Sequence, residues 1–260
     1  MSRIYSARGR GLSQVLDRSL DLDGPDLLLA FAASHLHSGS RILDVGCRDA
    51  AYLIRLVQAH GCSGVGFEFV EWHVDRARTA VAEAGLDARI EITTGVMERI
   101  EQPDDAFDFV WCRDVLELVE DLELGLAEAA RVLHPAGRML VYTVFATDLL
   151  HADEAEMINP PMGVVARNLD EDFAEAAFRG AGLVVEQKRV VGTEWREHAE
   201  ERTQPVSSDL LRLARLRRRR DEIVRDHGEE AYSIAQASLL WRPFQLLGKL
   251  RPTVYLLEPD

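Results

Sequence analysis

The stretch Arg41-Ile-Leu-Asp-Val-Gly-Cys-Arg-Asp-Ala50 decides the fold of this 260-residue chain. An apolar run ends at Asp44, the chain turns at Gly46, and an amphipathic segment then runs from Ala50 to His60. This order predicts a buried strand, a tight turn and the start of a helix. Open α/β sheets bind nucleoside-bearing ligands at such a place.

The next strand-like run, Gly64-Val-Gly-Phe-Glu68, ends in a carboxylate. An acid at the tip of the second strand can accept hydrogen bonds from both hydroxyls of a ribose, because the sheet places the ribose there. A solvated acid that simply follows a strand is the alternative interpretation. With a ribose at Glu68, the adjacent Phe69 is expected near the base of the nucleoside.

The turn after the first strand lacks the G-x-G-x-x-G pattern with which dinucleotide folds approach a pyrophosphate. The residues after Gly46 are Cys47, Arg48, Asp49 and Ala50, and Asp49 would lie near any bound phosphate. NAD and FAD are therefore disfavoured. A cofactor with a ribose, no phosphate and a positive centre fits better, and S-adenosylmethionine is such a molecule.

Four segments, in this order and spacing, resemble class I S-adenosylmethionine-dependent methyltransferases with a methyltransferase type 11-like domain. They are Leu43–Cys47, Glu68 after the second strand, Phe107–Glu117 (FDFVWCRDVLE) and Ala130–Leu140 (ARVLHPAGRML). The chain departs from this family at two places. Arg48 and Ala50 stand where the family usually has the later glycines of G-x-G-x-G. Val96 stands where an acid often follows the glycine of the third strand.

The resemblance implies an α/β fold with a doubly wound, seven-stranded, mostly parallel sheet of order 3-2-1-4-5-7-6, helices on both faces and a helical insertion between strands 6 and 7. Apolar runs place the strands near 41–45, 63–68, 89–94, 107–112, 138–145, 183–191 and 252–258. Helical patterns lie near 13–20, 26–37, 50–60, 70–84, 121–134, 169–181 and 208–227.

Three parts of the chain follow from this arrangement. Residues 1–39 are an N-terminal helical segment, residues 40–192 and 251–260 form the cofactor-binding domain, and residues 193–250 form a helical lid or insertion. An insertion of that size covers either the active site or a dimer partner. The sequence leaves both interpretations open.

By the same resemblance, S-adenosylmethionine, with S-adenosylhomocysteine as its product, is expected at the ends of the first four strands. The expected contacts are Asp44, Gly46, Cys47, Arg48, Glu68, Phe69, Gly95, Val96, Met97, Arg113 and Asp114. Some of these residues have a purely structural alternative. Asp44 would cap the following helix, and Met97 would pack in the core. Arg48 would point into solvent, or pair with Asp49 or Glu71, instead of binding the carboxylate of the cofactor.

Methyl transfer from a sulfonium needs little acid–base help, so no catalytic dyad is required. The candidate general bases are His198, whose reference pKa lies near neutrality, and Glu117. The alternatives are an exposed histidine at a helix start and an acid near the N-terminus of the next helix. His151 and the acids after it predict a solvated loop, because no second histidine is near, and no metal is expected.

The composition of the chain limits the kinds of partner that we expect it to bind. The net charge of −14 disfavours nucleic acid, whose affinity comes largely from Lys and Arg on phosphates. Arg217–Arg220 is interpreted as a solvated helix face. Three scattered cysteines suit a reducing cytoplasm, and neither a signal peptide nor a membrane-spanning run is seen. A cytoplasmic monomer or homodimer that binds neither nucleic acid nor membrane is expected.

We therefore expect a methyltransferase that transfers the methyl group in line to an O, N or C nucleophile of a small molecule. An RNA or protein methyltransferase is a weaker alternative, because the chain is acidic. A second alternative is a protein that keeps this fold without transferring methyl groups, as a binding or regulatory protein or another catalyst. The missing glycines and Val96 keep that alternative open.

Overall fold

The computed structural model of the protein describes residues 26–260. Seven strands form one sheet in the order β3-β2-β1-β4-β5-β7-β6, which confirms the predicted fold class. The strands are β1 (Arg41–Val45), β2 (Ser63–Glu68), β3 (Ile90–Thr94), β4 (Phe107–Arg113), β5 (Leu133–Ala146), β6 (Leu183–Val190) and β7 (Leu250–Pro259). Neighbouring strands are parallel except around β7, which runs antiparallel to β5 and to β6.

Nine α-helices accompany the sheet within the described residues. They are α1 (Asp26–Ala33), α2 (Ala51–His60), α3 (Glu71–Glu83), α4 (Leu122–Val132), α5 (Ala152–Met162), α6 (Glu171–Gly180), α7 (Glu194–Thr203), α8 (Pro205–Arg218) and α9 (Arg220–Leu246). The helix predicted at 13–20 lies outside the described residues. The helix predicted over 26–37 ends at Ala33, ahead of the turn that contains Gly39.

The carboxyl ends of the central parallel strands meet at one edge of the sheet. Val45 of β1 pairs with Phe67 of β2 on one side and with Cys112 of β4 on the other. A Cβ atom added to Gly66 of β2 would lie 2.9 Å from the Sγ atom of Cys47. The bare backbone at this position therefore lets the turn after β1 pack directly on β2.

Apolar side chains cover both faces of the sheet. One face packs against α4 and α6, and the other face packs against α1, α2 and α3. The residues that follow β1, β2 and β4 are thus held on a rigid scaffold, at the edge where ligands bind in open α/β sheets.

The segments 146–168 and 193–250 form a third layer, which shares one hydrophobic cluster. Ile158 of α5, Leu213 of α8 and Leu240 of α9 are buried in this cluster, together with Val144 near the carboxyl end of β5. The two extra segments are therefore one packed unit at the end of β5 rather than two separate elaborations.

Two sequence expectations for these segments were wrong. The acids after His151 do not lie in a loop but in α5, and His151 is the residue that caps this helix, in a capping box with Glu154. Such a box satisfies backbone donors that the first turn of a helix leaves free. The single helix predicted over 208–227 is two helices. The chain breaks at Arg219 between α8 and α9, and α9 has a further kink at Gly228.

Candidate active site

Glu68 at the end of β2 ties two turns together. Its Oε2 atom accepts a hydrogen bond from the backbone N–H of Arg48 at 3.0 Å, and its Oε1 atom accepts one from the backbone N–H of Val70 at 3.0 Å. His73 Nδ1 lies 3.6 Å from Oε1. Each carboxylate oxygen can accept two hydrogen bonds, so both oxygens can also receive a ligand hydroxyl.

The turn after β1 has left-handed backbone at three alternate residues. The φ angles are +67° at Gly46, 52° at Arg48 and 57° at Ala50. These are the three positions at which the family resembled by the sequence usually has glycine. The chain therefore keeps the backbone path of the motif without two of its glycines. Ala50 caps α2 without a side-chain hydrogen bond, so Asp44 is not the cap of this helix.

Glycine at position 46 is required by the protein itself. A Cβ atom at Gly46 would lie 2.6 Å from the Cγ2 atom of Val115, closer than real Cβ contacts allow. Glycine is therefore needed here whether or not a ligand is bound, because the obstacle is Val115, a residue that follows β4.

Arg48→Gly is expected to stabilise the fold. The left-handed conformation costs a non-glycine residue ~1–2 kcal/mol, whereas the extra chain entropy of glycine costs ~0.5–1 kcal/mol. The Arg48 side chain is exposed, and its bond to Glu68 uses the backbone, which glycine retains. Urea unfolding should show a gain of ~0.5–1 kcal/mol. A lower unfolding midpoint would mean that the arginine side chain contributes more than its strain.

Asp44 is a buried carboxyl group beside this turn, with only 4% of its surface exposed. The pKa of Asp44 is raised to about 8. Burial is the main cause, the charges of Glu68 and Asp49 act in the same direction, and the charge of Arg113 acts against them. Among the described residues, its carboxylate forms no hydrogen bond and no close ion pair. Burial likewise raises the pKa of the Cys47 thiol, which therefore stays protonated.

The end of β4 carries a cation held between aromatic rings. The Arg113 guanidinium lies 4.7 Å from the ring centre of Tyr52 and 5.7 Å from that of Tyr142. Its Nη2 atom pairs with Asp114 at 3.1 Å, and its buried Nε atom has no partner among the described residues. Tyr52, in the first turn of α2, was missed by sequence reasoning, although it directly follows the decisive motif.

Asp114 lies where β4 and β5 end together. Its backbone N–H donates to the Tyr142 carbonyl oxygen at 2.9 Å, and its own φ angle is 55°. Its side chain is 44% exposed, yet the surrounding protein raises its pKa, against the lowering effects of Arg113, Arg196 and Arg48. A carboxylate that is open to solvent on one side and close to many protein atoms on the others is expected at the bottom of an open cleft.

The predicted adenine-side residues divide into two groups. Phe69, Gly95 and Val96 line a cavity of about 450 Å³ beside the ends of β2 and β3. Met97 is instead buried in the core, where its side chain lies against Gly125 of α4. The position of Met97 corresponds to the core-packing alternative.

Glu117 is buried beneath the end of β5. Its Oε1 atom accepts a hydrogen bond from the backbone N–H of Val144 at 3.0 Å. Both its Oε2 atom and the nearby Thr143 hydroxyl are buried without a well-formed hydrogen bond to any other part of residues 26–260. Burial and, to a smaller extent, the charge of Asp114 together raise the pKa of Glu117 to about 7.

Glu117→Gln should remove a loss of stability that the wild type suffers between acidic and neutral pH. The folded protein keeps the proton of Glu117 up to a pKa of about 7, whereas the unfolded chain releases it near 4.3. Wild-type stability therefore falls as pH rises through this range. Glutamine has no proton to lose, and its amide can donate to Thr143. The variant should match the wild type at pH 4 and exceed it by ~2–4 kcal/mol at pH 8 in urea unfolding. Equal stability at both pH values would contradict the burial argument.

His198 lies in α7, part-way along the insertion. Its Nδ1 atom lies 2.9 Å from Nη1 of Arg202, one turn further along the same helix. Trp195 and Arg196, in the first turn of this helix, lie closer to the strand ends, because Trp195 stacks on Tyr142 with ring centres 5.1 Å apart. A general-base role for His198 stays a prediction.

The described part of the chain holds no cluster of three or more His, Cys, Asp and Glu side chains arranged for a metal ion. Over the same residues, no helix combines the length and the apolar character needed to cross a bilayer. Cys47, Cys62 and Cys112 are buried free thiols.

The sequence of this chain is similar to those of known methyltransferases. A family model described as a methyltransferase domain matches residues 17–188. The chain is 33% identical over 152 residues to 27-O-demethylrifamycin SV methyltransferase of Amycolatopsis mediterranei. That match covers 57% of the chain and 55% of the relative, so the chain spans about half the length of this protein.

Solved structures share the fold at low identity. The 4+2 cyclase SpnF superposes with a TM-score of 0.69 at 20% identity, over 93% of this chain and 86% of the cyclase. Geranyl diphosphate C-methyltransferase from Streptomyces coelicolor, solved with S-adenosylhomocysteine, gives a TM-score of 0.64 at 13% identity, over 90% and 77%. Since the family model spans more than half of the sequence, this chain belongs to the methyltransferase domain family.

Proposed function

We propose that the protein is an S-adenosylmethionine-dependent methyltransferase that acts on a small-molecule acceptor. The observation that carries the proposal is Glu68, whose carboxylate lies at the tip of β2 and bonds to the backbone of the turn after β1. The named relative is a methyltransferase of 27-O-demethylrifamycin SV, and the family model supports the same chemistry.

The charges around the turn suit this cofactor. Glu68 would accept the ribose hydroxyls with its remaining lone pairs. Asp44 is a buried carboxyl group whose pKa is raised to about 8, and a cationic ligand group beside it would favour its charged form. Arg48, whose side chain is exposed, offers donors to a carboxylate. Phe69 and Val96 are exposed apolar side chains that can contact the flat face of the base.

The cofactor supplies a methyl group already activated by a sulfonium. The residues of the chain then have to orient the acceptor and exclude water, which lowers the barrier through positioning rather than proton transfer. Asp114 lies at the end of β4, where the acceptor is expected, and the Arg113 pair and the Tyr142 carbonyl hold it there. We infer that residues 193–250 act as a lid, because their helices pack on the end of β5.

The second candidate is a catalyst that keeps the fold without transferring methyl groups. It is favoured by the non-glycine residues Arg48 and Ala50 in the turn. Isothermal titration calorimetry with S-adenosylmethionine and S-adenosylhomocysteine tests the proposal. Tight binding of both is expected of a methyltransferase, because S-adenosylmethionine is its substrate and S-adenosylhomocysteine is its product. No binding of either would overturn the proposal.

The finer assignments follow from the same proposal. We propose a cytoplasmic protein that works as a monomer or homodimer and does not bind nucleic acid, because its net charge is −14 and phosphate binding requires an excess of Lys and Arg. Light scattering at several protein concentrations tests the oligomeric state. Residues 40–192 and 251–260 would form the cofactor-binding domain, with 193–250 as the lid.

A further inference from the structure

Arg196 is a cation of the lid that is held close to the strand ends. It lies in the first turn of α7, next to Trp195, which stacks on Tyr142 of β5. Tyr142 in turn accepts the hydrogen bond from the Asp114 backbone N–H. This chain of contacts brings the Arg196 guanidinium near enough for its charge to act on both Asp114 and Tyr142.

The position of Arg196 is fixed by a neutral partner. Its Nε atom donates to Oε1 of Gln245, a fully buried residue of α9. The amide nitrogen of Gln245 is buried without a partner of its own among the described residues. The guanidinium is thus anchored through one edge, and its two terminal nitrogens remain available for a ligand.

No acid among the described residues forms an ion pair with Arg196. Burial lowers the pKa of Arg196, and the charges of Arg242 and Arg113 lower it further, against the raising effects of Tyr142 and Asp114. Arg242, in the same layer, has its charge neutralised by an acid: its guanidinium donates to both carboxylate oxygens of the buried Asp209, at 2.6 and 2.8 Å. Arg196 therefore lacks the counter-ion that its neighbour has.

The local charge favours an anion. Three arginines, Arg113, Arg196 and Arg48, act on the exposed carboxylate of Asp114. A planar guanidinium whose two terminal nitrogens are free matches a carboxylate or a phosphate, to which it can bind through two parallel hydrogen bonds. A partly buried arginine is stabilised when such a group completes its pairing.

We propose that Arg196 binds an anionic group, a carboxylate or a phosphate, on the methyl acceptor. This inference rests on the proposed function, because it assumes that the acceptor binds between the lid and the ends of β4 and β5. It narrows the acceptor to small molecules that place an anion beside the reacting atom. Neutral acceptors would leave the guanidinium unpaired on binding.

The test uses the full-length protein saturated with S-adenosylhomocysteine, titrated with inorganic phosphate and with malonate at low ionic strength. Both anions should bind the wild type, and Arg196→Gln should weaken the binding at least about tenfold. Arg196→Lys should retain part of it. Arg212→Gln, which removes an exposed arginine of α8, is the matched control and should bind as the wild type does.

Three outcomes overturn the inference. Anion binding that is equally weak in the wild type and Arg196→Gln, with S-adenosylhomocysteine bound normally by both, removes the anion site while the proposed function stands. Loss of S-adenosylhomocysteine binding in Arg196→Gln, with 5′-methylthioadenosine still bound, would assign Arg196 to the tail of the cofactor instead. If the wild type binds neither S-adenosylhomocysteine nor 5′-methylthioadenosine, the proposed function is wrong, and the inference about Arg196 is wrong with it.

Discussion

Glu68→Ala should weaken the binding of S-adenosylhomocysteine by about 5- to 150-fold, which corresponds to ~1–3 kcal/mol for a lost charge-assisted hydrogen bond. The carboxylate has two tasks in the structure, because it would bind the ribose and it also accepts the N–H groups of Arg48 and Val70. Its removal therefore frees both turns that frame the nucleoside. The dissociation constant from calorimetry measures the effect.

A matched control separates the site from general charge. Glu83→Ala removes an exposed acid at the other end of α3 and should leave the dissociation constant unchanged. Thermal unfolding of both variants, with and without ligand, shows whether Glu68→Ala is folded. An unchanged dissociation constant in a folded Glu68→Ala protein would count against a ribose at the end of β2.

The parts that sequence could predict are those set by local pattern. We predicted the strand Arg41–Val45 and the position of Glu68 at the end of the next strand. Both predictions were possible because a strand buried on both faces appears as an uninterrupted apolar run. The helix α5 was missed. Its Pro160 and Pro161 look like breakers, yet they lie in the last turn of a helix that ends at Met162.

What sequence could not predict depends on contacts between distant residues. The periodic pattern continues through Arg219, and only the packing of α8 against α9 shows that the chain turns there. The clamp of Tyr52 and Tyr142 around Arg113 joins three separate elements. The clash that forbids a side chain at position 46 likewise comes from Val115, which follows a different strand.

Gly46→Ala is expected to be among the most destabilising single changes in the domain. The φ angle of +67° costs an alanine ~1–2 kcal/mol. Forcing its methyl group against Val115 Cγ2 adds ~1–3 kcal/mol of overpacking. The sum of ~2–5 kcal/mol is a large share of the total stability of an ordinary domain, about 5–15 kcal/mol. Urea unfolding of the two proteins measures the difference.

The two causes can be separated by a double-mutant cycle with Val115→Ala. In the Val115→Ala background the methyl group introduced at position 46 has room, so Gly46→Ala should cost only the conformational part, ~1–2 kcal/mol. The difference between the two backgrounds measures the contact between positions 46 and 115. If Gly46→Ala were equally destabilising in both, the clash would contribute nothing, and the left-handed turn alone would explain the glycine. A small effect in both backgrounds would instead show that the turn rearranges, and the proposed path of the cofactor-binding turn would be wrong.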